Sequence, residues 1–96
     1  MYNIVFTKQS VQDLENPKQA HLSQKARVLI DTLKENPFKT PPAFEKLVGN
    51  LTGAYSRRIN IQHRLVYQVY EEPIAIDKIT YDGTVKILRM WTHYGE

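Results

Sequence analysis

Residues 51 to 70 read LTGAYSRRINIQHRLVYQVY. Gly53 marks a turn into a β-rich run from Ala54 to Ile59, and Arg64 to Tyr70 holds Leu65, Val66, Tyr67 and Val69 in a composition that favours strand. If Asn60 to Gln62 form a three-residue loop, the two runs make a β-hairpin and Arg58 lies opposite Arg64. Side chains paired across an antiparallel ladder share one face. Like charges so placed repel, and an anion between them relieves the repulsion. Charge pattern alone leaves a second reading equally open, in which the arginines at 57, 58 and 64 are a solvated outer face.

Upstream of the hairpin, Pro37, Pro41 and Pro42 impose an extended connection that cannot be helical, and it delivers Phe44-Glu45-Lys46-Leu47 to the hairpin's edge. Phe44 and Leu47 would anchor this segment and hold the Glu45 carboxylate in place. Taken alone, Glu45 reads more simply as one more exposed glutamate. Before the prolines, Leu22, Ala26, Leu29, Ile30 and Leu33 recur at the spacing of a buried helical stripe that ends at Asn36-Pro37. The outer face of that helix carries Lys18, Lys25, Arg27 and Lys34, a solvated surface or a weak docking face for an RNA-rich partner. At the start, Tyr2 to Phe6 reads as a strand. Thr7 caps a short helix over residues 8 to 16, with Val11 and Leu14 on one face and Asn16-Pro17 as its stop.

Downstream, Glu71-Glu72-Pro73 is a turn, followed by a strand from Ile74 to Tyr81 and another from Thr84 to Trp91. Asp82-Gly83 between them predicts a type I′ hairpin turn, which needs positive φ at both central residues. On the last strand Val85, Ile87, Arg89, Trp91 and His93 share one parity, and Lys86, Leu88, Met90, Thr92 and Tyr94 share the other. Both sets are partly apolar, so period two does not say which faces the core. His93 on its own reads first as a surface residue at a strand end.

The 96 residues suffice for one small domain spanning 1–96, with 42% hydrophobic and 24% charged residues. No stretch is apolar enough to span a membrane, and MYNIVF lacks the basic region of a signal peptide, so a cytoplasmic location is expected. The chain has no cysteine, which rules out a disulfide scaffold and a thiolate metal site. His21, His63 and His93 lack ligand spacing, and no metal or other cofactor is expected. A net charge of +3 favours an anionic partner, nucleic acid before acidic protein. So small a charge does not hold free RNA tightly at physiological salt, which implies that something else presents the RNA.

Taken in order, Glu45, NLTGAYSRRI (50–59), HRLVY (63–67) and a C-terminal His93-Tyr94 resemble the YoeB group of the RelE-like toxins from bacterial toxin–antitoxin pairs. The resemblance is sharpest from Glu45 to Tyr70 and at the last strand. By position it implies a catalytic carboxylate at Glu45, phosphate-binding arginines at Arg58 and Arg64, a catalytic histidine at His93 and the adjoining tyrosine at Tyr94. It further implies cleavage of messenger RNA in the ribosomal decoding site, inhibition by a YefM-type antitoxin, and room for a homodimer. The chain departs from the group in Trp91-Thr92, where Arg-Tyr is expected, and in a hairpin from Pro73 to Trp91 that is longer than usual, which bears on docking more than on chemistry.

The expected fold is α+β, RelE-like and akin to microbial ribonucleases. The N-terminal strand and two helices pack on a four- to five-stranded, mostly antiparallel twisted sheet, with the two helices on one face and the site on the opposite, concave face. The expected activity is a metal-independent endoribonuclease acting on ribosome-bound mRNA by attack of the 2′-hydroxyl on the adjacent phosphate. Glu45 would take a proton, His93 give one, and Arg64 with Arg58 and Tyr94 bind the phosphate, while Lys25, Arg27 and Lys34 would assist docking to the ribosome. The alternative is a non-catalytic binder of ribosome or nucleic acid, or a co-repressor acting with the antitoxin.

Overall fold

The computed structural model describes residues 1–16, 22–49, 52–61 and 63–92, the last two as backbone only. In chain order the elements are β1 (Tyr2–Phe6), α1 (Lys8–Leu14), α2 (Ser23–Glu35), β2 (Phe44–Lys46), β3 (Ala54–Arg58), β4 (Arg64–Tyr70), β5 (Ile74–Ile76), β6 (Ile79–Tyr81) and β7 (Gly83–Thr92). Five strands form one sheet in the order β1-β7-β4-β3-β2, and β5 pairs with β6 alone. Within the large sheet only β1 and β7 run parallel. With two helices packed against it, this is the expected α+β architecture.

The stripe on α2 is buried as its spacing requires: Leu22, Ala26, Leu29 and Leu33 pack in one cluster with Leu65 and Tyr67 of β4 and Val85 and Ile87 of β7. The question left open by period two is thereby answered in favour of Val85 and Ile87. Irregularities in the β4–β7 register on either side of Val66 then break the alternation, and Met90 is buried as well. Thr7 caps α1 by accepting from the Ser10 N–H at 3.1 Å, while its hydroxyl donates to the Leu88 carbonyl at 3.0 Å. One threonine thus ends β1, starts α1 and joins both to β7. The same helix is clasped from its other end: Asp13 accepts from Arg89 Nε and from the Met90 N–H, each at 2.9 Å. Burial by itself would raise the Asp13 carboxyl, but these hydrogen bonds, one from Gln9 and the Arg89 charge outweigh it and hold the group below its ordinary range.

The C-terminal half differs from the expectation in one place. Asp82-Gly83 is not a hairpin turn. The reversal occurs at Asp77-Lys78, both with positive φ (50° and 70°), and joins β5 to β6 as a separate hairpin. Gly83 instead opens β7 opposite Tyr2. A Cβ there would lie 2.2 Å from the Tyr70 carbonyl oxygen and 2.9 Å from the Tyr2 ring, so glycine serves close approach of backbones. Asp82 for its part pairs with the N-terminal ammonium of Met1. The Ile74–Tyr81 hairpin sets Ile74 against Tyr81 and Ile76 against Ile79 on one face, and residues 71–80 are all exposed. Among the described residues no helix is long and apolar enough to cross a membrane.

Candidate functional site

β3 and β4 form the expected hairpin. Beyond the Arg58–Arg64 pair, the Ile59 N–H donates to the His63 carbonyl at 2.8 Å and closes the hairpin; Gln62 of the expected loop lies outside the described residues. The register puts Arg58 opposite Arg64, as the three-residue loop requires. On the outer side of β3, the three-residue edge strand β2 sets Glu45 opposite Ser56. Glu45, Ser56, Arg58 and Arg64 therefore sit at neighbouring positions on one face, brought together from three strands.

Arg64 is the centre of the group. Its side chain is only 16% exposed, with Nη2 3.4 Å from Glu45 Oε1 and Nη1 donating to Ser56 Oγ at 3.2 Å. The Ser56 hydroxyl lies in a fully buried residue, so this contact fixes the guanidinium plane from below while Glu45 meets it at the surface. Glu45 is itself 63% exposed: it is held by the β2–β3 register and by Arg64 more than by burial between Phe44 and Leu47. Arg58 is exposed and makes no ion pair among the described residues. Glu45, Arg58 and Arg64, with Pro42 and Ala43, line an open depression of about 330 Å³. Two guanidinium groups and one carboxylate give this depression a net positive charge. Forked N–H donors suit a phosphate, and a solvent-reachable carboxylate within that group can accept a proton from a bound hydroxyl.

His93 and Tyr94 lie outside the described residues. The strand that leads to them places Thr92 opposite Arg64. The helical cations are elsewhere: Lys25, Arg27 and Lys34 are exposed on α2, which packs against β1, the sheet edge opposite β2. Arg27 and Lys34 border a groove of about 370 Å³ floored by Phe6, Leu14, Ala26 and Ile30, and Lys25 does not reach it.

Two residues escaped the sequence reading. Ser56 supports Arg64, and Arg57, one of three arginines that a charge pattern treats alike, is completely buried. Alternation carried the signal, because Arg57 has the parity of Tyr55 and pairs with Leu65 while Ser56 and Arg58 have the other. The solvated-face reading therefore fails for Arg57.

Comparison with known proteins bears on the same strands. The family described as YoeB-like toxin of bacterial type II toxin-antitoxin system matches residues 6–94. Toxin YoeB of Synechocystis sp. is 36% identical over 77 residues, 76% of this chain and 87% of its own length. The YoeB dimer from Staphylococcus aureus superposes with a TM-score of 0.67 at 34% identity, covering 97% of this chain and 98% of that one. A chain of the heterotetrameric YoeB-YefM toxin-antitoxin complex from the same organism gives 0.66 at 34% identity, with 98% and 99% covered. The match runs through β2, β3, β4 and β7 and extends past Thr92 to both terminal residues of interest; the chain belongs to the YoeB-like toxins of bacterial type II toxin–antitoxin systems.

Proposed function

We propose that this toxin is a ribosome-dependent mRNA endoribonuclease working as a single domain in the cytoplasm. The observation that carries the reading is the meeting of Glu45, Arg58 and Arg64 in one depression, with Glu45 and Arg64 3.4 Å apart. In the reaction, Glu45 removes the proton of a ribose 2′-hydroxyl and the oxygen attacks the adjacent phosphorus. Arg58 and Arg64 stabilise the charge that grows on the non-bridging oxygens. The bond to the 5′-oxygen breaks, His93 protonates that leaving group, and a 2′,3′-cyclic phosphate and a 5′-hydroxyl result. Tyr94 adds a contact to the phosphate. Each proton transfer is worth about 10²- to 10⁴-fold in rate, and one preorganised charged donor about 10²- to 10³-fold. The nucleophile is supplied by the substrate, so this scheme calls for no metal or other cofactor.

Ribosome dependence follows from the modest net charge of +3, which is too small to capture free RNA against salt. The exposed Lys25, Arg27 and Lys34 on α2 add a second basic surface for docking, at the far edge of the sheet from the cleavage site. A YefM-type antitoxin is the cognate inhibitor, by analogy with the Staphylococcus complex, and acidic groups on it would meet the Arg58–Arg64 face. The Staphylococcus dimer likewise makes a homodimer the expected state of the free toxin. Primer extension on one message, with and without translating ribosomes, tests the proposal. Cuts are expected only with ribosomes. Equal cutting of naked RNA would overturn the dependence, and stalling without cuts would turn the site into a non-catalytic binder.

A further inference from the structure

Arg57 lies between two members of the site in sequence and on the opposite face of the sheet from both. Its guanidinium, fully buried, donates through Nε to the Tyr67 hydroxyl at 3.1 Å, through Nη2 to the Pro37 carbonyl at 2.9 Å and through Nη1 to the Pro42 carbonyl. The Tyr67 hydroxyl donates a hydrogen bond to the same Pro37 carbonyl at 3.0 Å. The Phe44 ring covers the plane, 5.1 Å from Cζ to centroid. Among the described residues no carboxylate pairs with this cation.

Burying a charge without a counter-ion is expensive, and apolar packing would fill the space with less penalty. A neutral side chain, however, could not do what this one does. The connection from α2 to β2 contains Pro37, Pro41 and Pro42, which have no N–H to offer a ladder, so its buried carbonyls need donors from elsewhere. One rigid plane of N–H groups reaches two of those carbonyls at once and stacks on the residue immediately before Glu45. β2 itself is a three-residue edge strand and is weakly fixed by its own ladder.

We propose that Arg57, with Tyr67 as its partner, is a positioning residue for Glu45: it fixes the proline connection from the core side and so sets where the carboxylate stands beside Arg64 on the outer side. The inference rests on the proposed reaction only in naming Glu45 as the group whose position matters. The two neighbouring residues of β3 divide the task, Ser56 orienting Arg64 on one face and Arg57 orienting the approach of Glu45 from the other.

The test compares Arg57→Lys and Tyr67→Phe in the full-length chain, each alone and combined with Glu45→Gln. Lysine keeps the charge but cannot span both carbonyls. Single-turnover cleavage on saturating programmed ribosomes should fall about 10- to 100-fold for Arg57→Lys, since a displacement near 1 Å is worth that much, while half-saturating ribosome concentration stays within about twofold. Tyr67→Phe, the milder change and the one to use if Arg57→Lys does not fold, should lose less in the same direction. In the Glu45→Gln background neither change should lower the residual rate further, because a residue acting through Glu45 has nothing left to position. A loss in that background equal to the loss in the parent would overturn the proposal. Backbone hydrogen exchange gives a second readout that needs no activity. Amides 45–47 should exchange faster in both single variants while those of Leu65 and Ile87 keep their protection. Uniform loss of protection, or none, would overturn it. If the parent chain cuts no ribosome-bound message, the proposed reaction falls and exchange alone decides the role of Arg57.

Discussion

Replacing Arg64 by alanine separates what this side chain does for the fold from what it does for the chemistry. Two contacts disappear, the one to Glu45 at 3.4 Å and the one to Ser56 Oγ at 3.2 Å. Glu45 is 63% exposed, so their ion pair is screened and contributes at most ~1 kcal/mol. The buried Ser56 hydroxyl loses a donor but can still rotate its own proton toward another acceptor, a penalty of about 1 kcal/mol. Together about 1–2 kcal/mol is at stake, which for a domain of this size lowers Tm by roughly 4–16 °C. The rate should respond far more. Loss of a preorganised donor at a developing phosphorane charge lowers the chemical step about 10²- to 10³-fold, or ~2.7–4 kcal/mol. Arg64→Lys should recover the stability and only part of the rate, because an ammonium cannot serve Ser56, Glu45 and two phosphate oxygens with one plane. Single-turnover cleavage on saturating ribosomes, well below both melting points, is the measurement. A rate for Arg64→Ala within threefold of the parent would remove Arg64 from the site, and a melting curve collapsed by far more than the range above would show that the contact with Ser56 had been undervalued.

Glu45→Gln and His93→Gln should each lower the single-turnover rate about 10²- to 10⁴-fold with ribosome binding nearly unchanged; parent-like rates in both would leave the binding-module reading in possession. Gly83→Ala should destabilise by about 1–3 kcal/mol, because the obstructing atom is the Tyr70 backbone oxygen, whereas Lys78→Gly, which relieves a positive φ of 70°, should be neutral or stabilising in chemical denaturation. The opposite pattern would restore the turn to Asp82-Gly83. Asp13→Asn should cost about 1–2 kcal/mol at pH 7. Because the folded carboxyl is held below its ordinary 3.8, that contribution is present in full above this value and is lost as pH falls through the lower folded one. Denaturation of parent and variant should therefore converge in acid, and a gap that widened there would contradict the clasp.

Local signals made most of the elements legible. The i, i+4, i+7 recurrence from Leu22 to Leu33 needs only a helix with one dry side, and α2 follows it. Thr7 before a short amphipathic run is a cap whatever it packs against. The pairing of Arg58 with Arg64 follows from the expected loop length and ladder geometry, which are local as well. The Asp-Gly pair misled for a physical reason: a glycine chosen for close backbone approach at the start of a strand is indistinguishable in sequence from one chosen for positive φ in a turn, and the true turn at Asp77-Lys78 carries no glycine to announce it.

The sequence by itself determined the helix stripe, the hairpin that pairs two arginines, the order of residue types through the C-terminal His93-Tyr94 and, through that order, the family. Tertiary structure alone decided the rest. Parallel pairing of β1 with β7 joins residues some eighty positions apart, and no local period encodes which distant strand will be a neighbour. It also decided that three adjacent residues of one strand have three fates: Ser56 holds Arg64, Arg58 faces solvent beside it, and Arg57 is sealed under the proline connection. Charge and composition are the same for both neighbouring arginines. What separates them is the side of the sheet on which the helices and residues 37–44 happen to close, and that is set by the packing of the whole chain.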